Sequence, residues 1–328
     1  MLKVNLIFGS VIILLTGCQS MPEVQQNNNK TAVIAPHTLD DAREVSNQIN
    51  FKNLKKDAKK PIIALVLGSG GARGYAHIGA IEILEKNNIH PDFIVGTSAG
   101  SIVGSLYASG KNSSELREIA LNLKANDVRD VTLDRKGFFE GKKVEDFINK
   151  EVNNTPLQSL KIPMYVIATE LKEGKKVVFN YGNTGQAVRA SVAIPSMFIP
   201  TKIGDDEYVD GGLVSPVPVD VAKKLGADIV ITVDILAQPI YTETSNIWGL
   251  FNQNINIMQK HLAQEELKSA DIVIQPDLRE KVHIFDVSGR EITMLAGQNA
   301  AQKVMPKLRK IIEDYPHTKR SNRLIVKE

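Results

Sequence analysis

Cysteine is almost missing from this chain of 328 residues: there is one, Cys18. An internal disulfide is therefore excluded, and so is a metal cluster built on thiolates. Neither sign of charge is in excess, since Lys+Arg 40 stand against Asp+Glu 37 for a formal net charge of +3. So small a surplus leaves no electrostatic footprint for a nucleic-acid partner. Aromatics are scarce at 5%, and none interleaves the lysine run KNLKKDAKK, so a base-stacking platform is lacking too. Long apolar runs are also missing. The N-terminal one, Val4 to Leu15, is broken by Asn5, Gly9 and Ser10. As a helix it would rise about 18 Å, short of a hydrocarbon core of about 30 Å. What is present is 43% hydrophobic and 23% charged residues, the profile of a folded globular chain and not of a disordered or collagen-like one.

With Lys3 ahead of it, the apolar run reads as the core of a secretory signal peptide. Leu15-Thr16-Gly17-Cys18 follows at once and resembles the lipobox of bacterial lipoproteins. That resemblance implies cleavage before Cys18, acylation of Cys18 and a membrane contact through the lipid anchor. Gln19 stands where an aspartate would imply inner-membrane retention, so the implied address is the bacterial cell envelope, the outer membrane favoured. The alternative is an ordinary secretory signal with a chance cysteine. The organisation expected is a signal peptide at 1–17, a polar tether at 18–60, one domain at 61–315 and a basic tail at 316–328. The tether holds a weak helical patch around Leu39 to Phe51, and its lysines are either solvated or close to anionic headgroups.

From Pro61 onward, short apolar runs alternate with helical patterns. IIALVL has the length and branching of a buried strand, Gly68 to Gly74 break it, and a helix pattern runs from Tyr75 to about Asn88. Phe93 to Val95 make a second strand, followed by a small-residue helix from Ser98 to Ala108. Strand, glycine turn, helix, twice over, is the βαβ signature of a parallel sheet. Helices are expected at Ser113 to Lys124 and Val144 to Glu151, flanking an irregular, charged segment from Asp127 to Gly141 that reads as a cap over a site. Further strands are expected at Met164 to Leu171, Val177 to Asn180 and on either side of Gly204-Asp205-Asp206. A helix at Val219 to Leu225, the strand DIVITVDIL and the strand DIVIQP follow, with long helices at Ser245 to Lys268 and Ser288 to Asp314. Pro306 predicts a kink or break in the last of these.

Three glycine-bearing motifs carry the chemistry. Gly96-Thr97-Ser98-Ala99-Gly100 is a G-x-S-x-G at a strand-to-helix junction, where Gly96 and Gly100 remove the Cβ clashes that block so tight a turn. It reads as a nucleophile elbow, or more plainly as a small-residue turn capped by Ser98. Gly68-Ser69-Gly70-Gly71-Ala72-Arg73-Gly74 fails the dinucleotide pattern, because Arg73 occupies a required glycine position, and no G-K-[ST] follows. It presents successive backbone N–H groups beside a cation, an arrangement suited to a developing oxyanion. Asp210-Gly211-Gly212 supplies an acid, although by itself it also reads as a hairpin turn. In the order Ser, Asp, His, the candidates to complete a triad are His261 and His283. His261 falls within an amphipathic helix pattern and His283 in a polar stretch, so a Ser98/Asp210 dyad is the simpler account. His77 reads as a helix-packing residue.

In order and spacing, these motifs resemble the patatin-like phospholipase family. The match extends to Ala168-Thr169-Glu170-Leu171, to Arg189-Ala190-Ser191-Val192-Ala193-Ile194-Pro195 and to Ala296-Gly297-Gln298-Asn299-Ala300. It departs at Ser69, which replaces the first glycine of the GGGxRG form. The resemblance implies a three-layer α/β/α sandwich with a mostly parallel central sheet. It implies Ser98 as nucleophile, Asp210 as its base and Gly70, Gly71 and Arg73 as the oxyanion loop. Phospholipid or another acyl ester would be the substrate, with no cofactor or metal required. Two other functions fit the same residues: a serine esterase or thioesterase on non-phospholipid substrates, and a silent lipoprotein that binds lipid or a partner without chemistry.

Overall fold

The computed structural model describes residues 37–38, 60–236, 244–278 and 289–325. The signal peptide, the lipobox with Cys18, the helical patch around residues 39–51 and His283 lie outside the described residues.

Five parallel strands form the centre of the sheet, in the order β4 (Met164–Glu170), β3 (Phe93–Thr97), β2 (Ile63–Leu67), β8 (Ile229–Val233) and β9 (Ile272–Ile274). Each is an apolar run with both faces covered, as a parallel sheet between helical layers requires. Alternation along β2 divides the core. Ile63, Leu65 and Leu67 pack with α1 (Tyr75–Lys86), α2 (Ala99–Ala108), α3 (Ser113–Asn122), α5 (Lys142–Glu151) and α6 (Thr184–Ser191). Ala64 and Val66 pack with α7 (Val219–Leu225) and α8 (Ile247–Leu267) on the other face. The result is the expected α/β/α sandwich. Asparagines start three of these helices, each side chain accepting from an N–H of the first turn: Asn112 from Glu115, Asn183 from Gln186 and Asn246 from Gly249.

β4 is the strand that positions the site. On one edge it pairs antiparallel with β5 (Lys176–Tyr181), Val166 opposite Phe179 through Thr169 opposite Lys176. On the other edge it pairs first with β3, ending at Thr97 opposite Ile167, and then with the antiparallel β7 (Asp206–Asp210), itself in a hairpin with β6 (Thr201–Ile203), ending at Asp210 opposite Ala168. β3 and β7 therefore run toward each other along one edge of β4. Their C-terminal ends meet there.

Three expectations are corrected. The stretch read as a tether contributes β1 (His37–Thr38), a short edge strand that pairs antiparallel with β5 at Tyr181 and Phe179. The irregular segment begins with a short helix, α4 (Ala125–Val128). The final helix, α9 (Arg290–Ile325), passes Pro306 without a break and continues through residues assigned to the tail. A mid-helix proline costs about 3 kcal/mol. Here buried Ala300, Ala301, Met305 and Leu308 on both sides of Pro306 hold the helix against the core, and that packing outweighs the local penalty.

Candidate active site

The elbow is set by steric limits. Ser98 lies between β3 and α2 at φ 53 and ψ −119, a conformation strained for a residue with a side chain. A Cβ on Gly100 would lie 1.9 Å from the Leu67 carbonyl oxygen, and one on Gly96 would lie 2.6 Å from the Gly100 carbonyl oxygen. Only glycine lets β2, β3 and α2 close around the turn. The Ser98 amide donates to Ser191 Oγ at 2.8 Å, and that hydroxyl donates to the Ile167 carbonyl at 2.6 Å. Thr97 Oγ1 donates to the Ser215 carbonyl at 2.9 Å, which ties the residue before the elbow to the loop after Asp210.

Ser98 Oγ donates to Asp210 Oδ2 at 2.6 Å, across 112 positions of sequence. The carboxylate is fixed on its other side by the Gly212 amide, which donates to Oδ1 at 2.7 Å. Its main chain is held as well: Asp210 N–H donates to the Ala193 carbonyl at 2.9 Å and Thr169 Oγ1 to the Asp210 carbonyl at 2.8 Å. A Cβ on Gly211 would lie 2.4 Å from the Ile167 carbonyl oxygen, so the turn after Asp210 also needs glycine. Ser98 is 2% exposed and Asp210 3% exposed. Burial pushes the Asp210 carboxyl up to about 6, against the pull of its bonds from Ser98 and Gly212.

The glycine-rich turn runs beside the elbow. Gly68 and Ser69 donate their amides to the carbonyls of Val233 and Pro216 at 3.1 and 2.8 Å. The next two amides, of Gly70 and Gly71, have no protein acceptor among the described residues. Gly71 sits at φ 58. Arg73 is pushed down to about 10 by burial, partly offset by the Asp234 carboxylate, and its Nε has no hydrogen-bond partner among the described residues. His77 is fully buried and lies 2.9 Å from the Gly68 carbonyl through Nε2. Burial lowers it to about 4, so it is a neutral packing residue that supports the turn. His261 lies on α8, and no hydrogen bond links it to the Ser98/Asp210 pair.

A cavity of about 200 Å³ opens from Ser98 and Gly71 and runs between the helices of one layer. Its walls are apolar, with Ile78 of α1, Ile102 of α2, Leu116 and Ile119 of α3 and Phe147 of α5 among them. Sequence reasoning missed this cavity, because apolar positions that line a void have the same periodicity as those that fill a core. It also gave Ser191 no role. The available signal was a serine in α6 among the buried positions Ala187, Val188 and Ala190.

Residues 65–223 match the family model described as patatin-like phospholipase. Over this stretch the chain is similar to the patatin-like phospholipase family. An uncharacterized NTE family protein of Mycobacterium tuberculosis (strain ATCC 25618 / H37Rv) is 34% identical over 183 residues, which cover 55% of this chain and 51% of that protein. Patatin-like phospholipase domain-containing protein 6 of Homo sapiens is 28% identical over 228 residues, 66% of this chain and 17% of that protein. The match thus spans about half the length of the mycobacterial relative and a smaller share of the human one. The crystal structure of VipD from Legionella pneumophila aligns with 76% of this chain and 67% of its own at a TM-score of 0.49 and 13% identity. Within this patatin-like domain, the buried Ser98/Asp210 pair, the open amides of Gly70 and Gly71 and the apolar cavity all adjoin one another.

Proposed function

We propose that the chain hydrolyses lipid acyl esters through an acyl-serine on Ser98. The observation that carries this reading is the 2.6 Å bond to a buried carboxylate from Ser98 Oγ, whose residue lines an apolar cavity. In the first half-reaction Ser98 Oγ attacks the ester carbonyl and its proton passes to Asp210. The Gly70 and Gly71 amides take the oxyanion, a role that the Ser98 amide cannot share because Ser191 occupies it. Collapse breaks the ester C–O bond, and the departing alcohol takes the proton from Asp210. In the second half-reaction water gives a proton to Asp210 and attacks the acyl-serine; the fatty acid leaves and the proton returns to Ser98. Arg73 adds positive potential behind the glycine turn. A phospholipid or lysophospholipid suits a cavity with so apolar a wall. Substituting Ile119→Trp is expected to lower turnover of long-chain esters about tenfold relative to short-chain ones, measured by chain-length profiling.

The base must be ionised to act. With Asp210 near 6, kcat/KM is expected to rise about tenfold per pH unit below that value and to level off above it. The same burial makes the ionised carboxylate a burden on stability. Because its folded value lies above its unfolded one, the favourable contribution is complete below about pH 3.9 and is lost as pH rises through about 6. Asp210→Asn is therefore expected to be inactive, yet more stable than the parent at pH 8 by on the order of 2 kcal/mol, with no such gain at pH 4. Denaturant unfolding at the two pH values measures the difference.

We further propose that the mature protein is held at the envelope by acylated Cys18, a reading supported by the lipobox-like Leu15-Thr16-Gly17-Cys18. Cys18→Ser is expected to let a high-salt wash strip the protein from the membrane fraction, where the acylated parent stays, while specific activity on a soluble ester is unchanged.

A further inference from the structure

Between α4 and α5 the chain makes a hairpin stub, residues 130–140. Val131 pairs antiparallel with Phe139, the Thr132 amide donates to the Phe138 carbonyl at 2.9 Å, and the Glu140 amide donates to the Asp130 carbonyl at 2.9 Å. Its base is firmly attached. Phe138 and Phe139 both donate their amides to the Met197 carbonyl, at 2.9 and 2.8 Å, and Ile199 donates to the Phe139 carbonyl at 2.9 Å. The Phe139 ring lies 5.6 Å from that of Phe198, and the Asp130 carboxylate accepts from the amides of Gly141 and Lys143 at 2.8 and 2.9 Å. A stub so held has a defined shape, yet it turns large apolar side chains outward. Val131 is 82% exposed, Leu133 is fully exposed and Phe138 is 54% exposed. Single exposed apolar residues are ordinary, but three on one rigid projection mark a surface that meets something apolar.

The position of the stub says what that is. Val128 and Arg129, just before it, and Phe198, against its base, line the cavity that leads to Ser98. Exposed Arg135 and Lys136 form its tip and exposed Lys142 and Lys143 follow in the first turn of α5; Lys136 pairs with Glu207 at 2.7 Å, Lys142 with Glu145 and Asp146 at 2.7 and 2.9 Å, and Lys143 donates to the Asn126 carbonyl at 2.7 Å. Of its acids, Asp130 is turned inward to the α5 amides, Asp134 accepts the Lys136 amide at 2.7 Å, and Glu140 is exposed. Outward apolar side chains with Arg135 at the tip, beside residues that line the apolar cavity, match a lipid surface, with the side chains among the acyl chains and the cation at phosphate level.

We infer that residues 130–140 dock the protein on a lipid surface and bring the cavity mouth to the headgroups. The choice of occupant rests on the acyl-hydrolase reading. The segment expected as a cap is thus a fixed wedge at the entrance.

The test compares the parent with the triple variant V131S/L133S/F138S. Cys18→Ser is present throughout, so that no acyl anchor contributes. Flotation with vesicles of phosphatidylethanolamine and phosphatidylglycerol is measured in a Ser98→Ala background, where binding is read without turnover. Hydrolysis of the same vesicles and of a soluble short-chain ester is measured with Ser98 intact. The triple variant is expected to lose flotation and to hydrolyse vesicle lipid about tenfold or more slowly, with soluble-ester turnover within about twofold of the parent. Equal flotation and equal vesicle hydrolysis by both proteins would overturn the inference. So would a parent that never floats, or a parent dimer that the triple variant loses, which would assign the stub to a second copy. Stub-dependent flotation by a protein that cleaves no ester would leave the docking surface standing and remove the hydrolase reading instead.

Discussion

Ser98→Ala is expected to lower kcat on a chromogenic acyl ester by about 10⁴-fold or more while the protein remains folded. The neighbouring hydroxyls are already committed: Ser101 Oγ donates to the Ser98 carbonyl at 2.6 Å and Ser191 Oγ to the Ile167 carbonyl. Neither can replace the missing nucleophile without breaking the turn. The open amides of Gly70 and Gly71 and the apolar cavity survive the substitution, so ester binding should persist and the loss should fall on kcat and not on KM. Stability should change little. Ser98 Oγ donates to Asp210 alone, and Asp210 keeps its bond from Gly212. A melting midpoint near that of the parent, with an unchanged circular dichroism spectrum, separates loss of chemistry from loss of fold. Activity above about a tenth of the parent's would contradict the role given to Ser98.

The second large effect is on stability. α1 and α9 cross through a reciprocal pair of glycines. A Cβ on Gly79 would lie 1.9 Å from the Met294 carbonyl oxygen, and a Cβ on Gly297 would lie 2.0 Å from the Ala76 carbonyl oxygen. Both obstacles are main-chain atoms of a helix, which cannot turn aside as a side chain can, so even alanine must push the helices apart. Gly79→Ala and Gly297→Ala are each expected to cost about 3 kcal/mol or more. In a domain of this size that lowers the melting midpoint by roughly 6–12 °C. Gly204→Ala is the control: its Cβ would meet nothing within 4 Å, and only its φ of 63 opposes the change. A cost of about 1 kcal/mol is expected there. Equal shifts in the three variants would mean that α9 is not seated on α1 as described.

The site was unevenly legible in the sequence. The elbow was readable because its demands are local: an apolar strand, a serine and glycines two positions to either side, with no room for any other residue at Gly100. The partnership of Ser98 with Asp210 was not readable from spacing. It depends on the register of β4, where Ile167 ends the pairing with β3 and Ala168 begins the pairing with β7. The family likeness supplied that link, and the sheet gives its physical cause. At Pro306 the helix does not break, since buried residues on both sides hold it against the core despite the local penalty. β1 escaped notice because two residues carry too little pattern for any periodicity. Its register is set by β5 and not by its own sequence.

The central claim is that Ser98, activated by Asp210, is the acyl carrier. Its most direct test is to treat the protein with a fluorophosphonate, digest it and locate the adduct by mass spectrometry. One adduct per chain is expected, on the peptide containing Ser98, forming faster as pH rises through about 6 and hardly forming on Asp210→Asn. An adduct on a different residue, or an active protein that takes no label at Ser98, would contradict the account.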